Sequence, residues 1–127
     1  MTAEGTYRVR IDPIRNRLYV ELRGALSEGQ ILSAVDDVIV GVGQLKPGFS
    51  VVNDLTTFKP TTPKGAEDVR QAQAFVARQP LGRVIHVMGQ DVSSDASGVR
   101  TGRATVFAPE TATSIAEAEA LLDRATA

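Results

Sequence analysis

Apolar and polar residues alternate over residues 7–11, with Tyr7, Val9 and Ile11 set against Arg8 and Arg10. A period of two is the pattern of a strand that buries one side and shows the other to water. Asp12-Pro13 interrupts it. The alternation then resumes, with Leu18, Val20 and Leu22 on one side and Arg17, Tyr19, Glu21 and Arg23 on the other. These two stretches predict an antiparallel hairpin with one half-exposed side, ended by Gly24.

The period then changes. Ser27 with Gln30 three residues on forms a capping box, in which the hydroxyl takes a helix amide and the glutamine reaches back to the cap. The helix it predicts carries Ile31, Leu32, Val35, Val38, Ile39 and Val42 at spacings of three and four, and Gly41 and Gly43 loosen its end. After a turn at Leu45-Lys46-Pro47-Gly48, the nearly continuous apolar run Phe49, Val51, Val52 predicts a strand covered on both faces. Thr61-Thr62-Pro63 predicts a second helix start, because threonine caps free amides and proline suits the first helical position. Ala66, Val69, Ala72, Phe75 and Val76 give this helix an apolar side, and Pro80 stops it before a buried strand over residues 81–88. Residues 90–113 predict a loop and short helix, then a strand near Thr111-Ala112-Thr113. Ser114 and Glu117 form a second capping box ahead of a terminal helix bearing Ile115, Ala118, Leu121 and Leu122.

This order of elements predicts one α/β domain over residues 1–127. It has a mostly parallel sheet of about five strands, right-handed crossovers and an antiparallel strand at one edge.

Composition narrows the function classes. The chain has 127 residues, 43% of them hydrophobic, enough for a single core. Its 14 basic and 15 acidic side chains leave a formal charge of −1, so no overall field draws in nucleic acid or an anionic membrane. Two tyrosines and no tryptophan offer little for base stacking. The chain lacks cysteine, which removes disulfides, a thiolate nucleophile and thiolate metal ligands. Residues 1–5 lack the apolar stretch of a signal peptide, and no apolar run approaches the roughly 20 residues of a membrane helix, so a soluble, cytoplasmic protein is expected.

The order of elements resembles the STAS family, the SpoIIAA-like domains of anti-sigma-factor antagonists and sulfate transporters. So do Leu18-Tyr19-Val20-Glu21-Leu22-Arg23-Gly24 before the first helix and Val51-Val52-Asn53-Asp54-Leu55-Thr56-Thr57-Phe58 before the second. The resemblance implies a SpoIIAA-like fold with helices mainly on one sheet face. It also implies a regulatory protein partner of the anti-sigma-factor or kinase type. Antagonists of that family carry an Asp-Ser pair at the second helix start, where the serine is phosphorylated. Here the stretch reads Phe58-Lys59-Pro60-Thr61-Thr62-Pro63-Lys64-Gly65, so only Thr61 or Thr62 could supply the hydroxyl. A phosphate there would meet free amides and the positive end of a helix dipole, with Lys59 and Lys64 near it. Capping alone also explains Thr62.

The remaining candidates for chemistry are few. His86 lies mid-strand among Val84, Ile85, Val87 and Met88, as a core or interface histidine would, and no nucleophile motif accompanies it. Gly41, Gly43 and Gly48 follow a helix rather than a strand, the reverse of a dinucleotide loop. Asp36-Asp37 and Glu67-Asp68 fall on polar helix sides. Asp54 ends a strand where α/β ligands gather, a position that a turn-capping aspartate also takes. Arg8, Arg10, Arg17 and Arg23 with Tyr19 form a basic strip on the first hairpin, suited to an acidic partner or to protecting an edge.

No catalytic residue, metal site or cofactor is expected. The reading that follows is a non-enzymatic STAS-like interaction module using Asp54, Lys59, Thr61, Thr62 and Lys64. It is expected to form a homodimer through sheet residues apolar on both alternations, to bind no nucleic acid and to make no stable membrane insertion. The alternative is a carrier or sensor of a small apolar ligand held by Phe58, Phe75 and Phe107 between helices and sheet.

Overall fold

The computed structural model describes residues 5–88 and 110–125. Its elements are β1 (Thr6–Asp12), β2 (Arg17–Arg23), β3 (Ala25–Leu26), α1 (Glu28–Gly43), β4 (Phe49–Asp54), β5 (Lys59–Pro60), α2 (Pro63–Ala77), β6 (Leu81–Val87), β7 (Glu110–Ala112) and α3 (Ile115–Ala125). The expected short helix before β7, and Phe107 with it, lies outside the described residues. The last strand covers residues 110–112, one position before the stretch predicted for it.

Five strands form one sheet in the order β1-β2-β4-β6-β7. β1 and β2 are antiparallel, with Val9 opposite Val20, and every other neighbouring pair is parallel. Because the order advances in one direction, right-handed crossovers put α1 and α2 on the same face. There they pack with Leu18, Val20, Leu22, Phe49 and Val51 into the larger core, together with Ile31, Ala34, Val38 and Val42 of α1 and Val76 of α2. The opposite face carries Tyr19, Val52, Ile85, Val87 and Ala112, and α3 covers it with Ala118 and Leu122. The central strands are therefore apolar on both alternations because each face has its own helix. The apolar face on which a homodimer was expected is buried within the monomer.

Three details differ from the sequence expectation. First, the polar side of β2 is not half-exposed: Arg17 and Glu21 are buried and Tyr19 is 1% exposed. Arg17 Nη2 donates to Asp123 Oδ1 at 2.6 Å and the Tyr19 hydroxyl donates to Glu119 Oε2 at 2.8 Å, so side chains of α3 supply the partners that a buried polar face requires. Second, α1 buries Ile31, Ala34, Val38, Gly41 and Val42, a narrower stripe than expected, and leaves Leu32 and Ile39 partly exposed. Third, Gly41 does not loosen the end of α1. A Cβ there would lie 3.1 Å from Ile11 and 3.2 Å from Leu18, so glycine lets the helix approach the hairpin. A further two-stranded sheet, β3 with β5, has no counterpart in the sequence reading. Gly24 begins its approach at φ 71°, a left-handed conformation that suits glycine.

Candidate functional site

The carboxyl ends of the parallel strands and the starts of two helices meet at one edge of the sheet. Loops here are held from both sides. Ala25 pairs with Lys59 and Leu26 with Pro60 in parallel register, and Lys59 N donates to Gly24 O at 2.9 Å. This ladder delivers the chain to α2 on a fixed path. Thr61 Oγ1 then donates to Leu26 O at 2.9 Å. Thr62 caps α2 as expected: its hydroxyl accepts from Gly65 N at 3.0 Å, with Pro63 in the first turn. The same hydroxyl donates its proton to Glu28 Oε2 at 2.7 Å, which ties the start of α2 to the start of α1.

The outward side of this corner consists of Lys59, Thr61, Pro63 and Lys64, all exposed. Lys64 Nζ is engaged by Asp68 one turn later, at 3.0 Å, so its charge is partly answered within α2. The first turn of α2 carries no acidic residue of its own.

Asp54 stands apart from that corner, in an open pocket of about 330 Å³ with Arg23, Thr56, Thr57, Val87, Thr113, Ser114 and Ile115. Its Oδ1 accepts from Thr56 N at 3.2 Å, the turn-capping role anticipated from sequence, while Oδ2 lies 3.5 Å from Arg23 Nη2. Arg23 also contacts Glu21 Oε1 at 2.9 Å. Of the arginines read as one strip, Arg17 is thus buried against α3 and Arg23 is drawn to the pocket. Only Arg8 and Arg10 remain on the outer strand, with the Arg10 guanidinium 4.0 Å above the Tyr19 ring.

The pocket's other wall is the start of α3, where Ser114 Oγ accepts from Glu117 N at 3.0 Å. Glu117 reaches one residue further back than the usual box, accepting from Thr113 N at 2.6 Å and from the Thr113 hydroxyl. These bonds hold its carboxyl below the ordinary carboxylate range. Away from the pocket lining, Arg83 grips both carboxylate oxygens of Glu110, with Nε to Oε2 at 2.7 Å, and joins β6 to β7. That pairing lowers the Glu110 pKa.

Of the candidate apolar site, Phe58 and Phe75 fall among the described residues and Phe107 does not. Phe58 and Phe75 are partly buried and pack against the α1–α2 core rather than lining the pocket described above. His86 is in β6 opposite Asn53, and burial lowers its pKa, as for a packed histidine. Among the described residues no group of acidic or histidine side chains is arranged to hold a metal ion, and no helix is long and apolar enough to cross a membrane.

Sequence reasoning missed Glu28. As an acid in the first turn of α1 it reads only as a favourable partner for the helix dipole, and nothing in its spacing points to Thr62. It also missed the pocket residues Thr56, Thr57, Thr113 and Ser114, which come together only through the parallel pairing of β4, β6 and β7.

A sequentially ordered parallel sheet with one antiparallel edge and its crossover helices on one face is the SpoIIAA-like fold. One similar solved structure, from Shewanella loihica PV-4, is an uncharacterized member of the DUF3478 family described as SpoIIAA-like. It matches with a TM-score of 0.72 at 12% identity, over 96% of this chain and 98% of that one. The anti-sigma factor antagonist SpoIIAA, in its unphosphorylated form, matches with a TM-score of 0.58 at 15% identity, over 95% of this chain and 98% of that one. No family model matches the sequence, and no curated protein does. At such identities the likeness is one of fold.

Proposed function

We propose that this chain is a non-enzymatic regulatory module that engages a protein partner through the corner at residues 59–65, with Thr62 or Thr61 as its modifiable hydroxyl. The observation that carries this reading is the double use of the Thr62 hydroxyl, which caps α2 and bonds Glu28 of α1 at 2.7 Å. A phosphate on that oxygen removes the proton given to Glu28 and sets two anions against each other. The free amides of α2 and Lys59 attract it in the opposite direction. One modification therefore changes how two helix starts are held, beside exposed side chains a partner could read. The likeness to an anti-sigma factor antagonist whose described form is the unphosphorylated one supports a kinase or anti-sigma-factor type of partner.

Affinity capture from the native cell extract tests this reading. The expected result is a protein that co-purifies with the wild-type chain and is lost when Lys59→Glu and Lys64→Glu are combined in a variant with unchanged circular dichroism. Equal capture by both proteins, or recovery of small molecules alone, contradicts it.

A further inference from the structure

We infer that the free edge of β1 is a second docking surface, separate from the corner at residues 59–65, and that it accepts an extended acidic segment of another protein as an added strand. β1 is the outermost strand of the sheet among the described residues, so its ladder is unfilled on one side. Its inward side chains, Tyr7, Val9 and Ile11, pack on the α1 core. Its other side carries Arg8 and Arg10, one pleat repeat apart or roughly 7 Å. Neither arginine has a carboxylate partner among the described residues. Glu21 stands opposite Arg8, but its carboxylate is engaged by Arg23. Arg10 lies over the Tyr19 ring, and its Nε is buried without an acceptor. The remaining arginines of the hairpin are paired: Arg15 with Asp12, Arg17 with Asp123 and Arg23 with Glu21 and Asp54.

The same pattern decides what fits. A second copy of β1 laid antiparallel about Val9 would set Arg8 against Arg10 of that copy, and like charges directly opposite repel. A strand with carboxylates at alternate positions places each one across from an arginine, and its intervening apolar residues continue the face that Tyr7, Val9 and Ile11 begin. Among the described residues the only aromatic ring on the arginine side, Tyr19, is already covered by Arg10, which leaves no platform there for stacked bases.

The test is an amide NMR titration of the full chain with two blocked heptapeptides of one composition, one alternating glutamate with valine and one with its glutamates contiguous. The alternating peptide is expected to bind, to move the amides of residues 6–12, and to bind about tenfold tighter than the contiguous one. Combining Arg8→Glu with Arg10→Glu should abolish this binding and create affinity for a peptide alternating lysine with valine, which shows that the variant is folded. Equal binding of the two acidic peptides, shifts centred away from β1, or tighter binding of polyuridylate or of phosphatidylserine vesicles would overturn the inference. So would a charge-reversed chain that ignores the lysine peptide while its amide spectrum remains native.

Discussion

The starts of α2 and α3 lie at the same edge of the sheet, and each is capped by a hydroxyl three residues before the amide it receives: Thr62 for Gly65 and Ser114 for Glu117. They differ in where the nearby carboxylate comes from. At α3 it belongs to the helix itself, since Glu117 folds back onto Thr113 and occupies the end with its own negative charge. At α2 it comes from α1, through Glu28, and it bonds the capping hydroxyl rather than a backbone amide. The first arrangement closes a helix end. The second makes one hydroxyl a joint between two helices, and a joint of that kind can be altered by chemistry on a single oxygen.

Substitutions separate the two starts by size of effect. Removing the support beneath α3 is the largest: Leu122→Ala empties a position 3% exposed in the second core and is expected to cost about 3 kcal/mol in denaturant unfolding. Thr62→Ala loses a cap and leaves Glu28 without its donor, so about 2 kcal/mol is expected. Ser114→Ala loses a cap while Glu117 still satisfies Thr113, and about 1 kcal/mol is expected. Equal costs at Thr62 and Ser114 would remove the distinction drawn between the helix starts. Thr62→Ser keeps both bonds and should stay within about 0.5 kcal/mol of the parent.

The smallest effect is a pH dependence that belongs to neither start. Burial lowers the His86 pKa, so the folded chain binds fewer protons there than the unfolded chain, whose histidine titrates near 6.5. Stability from this group is complete above that value and is lost as pH falls through it toward the folded pKa. The carboxylates Glu110 and Glu117, also lowered, act in a more acidic window, below about 4.5. His86→Gln should flatten the stability curve below about pH 6.5, down to the acid limb, and leave that limb in place. Urea midpoints across that range check it, and a parent curve already flat there contradicts the assignment.

Much of the scaffold was legible in the sequence because its signals are local. Ser27 with Gln30, Thr62 with Pro63 and Ser114 all lie within a turn of the amides they serve, and each helix begins where those residues place it. The alternation in β1 and β2 made the antiparallel hairpin legible for the same reason. The polar side of β2 was misread as half-exposed because its partners, Asp123 and Glu119, lie at the far end of the chain. Gly41 looked like a weak helix end because the side chains it makes room for, Ile11 and Leu18, belong to another element. The candidate site divides in the same way. Thr62 was found by its local capping pattern, whereas Glu28 and the company Asp54 keeps with Arg23 depend on strand pairing that no window of sequence contains.

On the proposed function, a partner is met at the start of α2 and not at that of α3. A photoreactive side chain placed at Lys64, and in a second chain at Ala116, tests it in the cell that makes the protein, since both positions are exposed at the first turn of their helices. A discrete protein adduct is expected from position 64, absent from position 116 and lost with Thr62→Glu. An adduct from position 116 alone, or the same adduct from both, would contradict it.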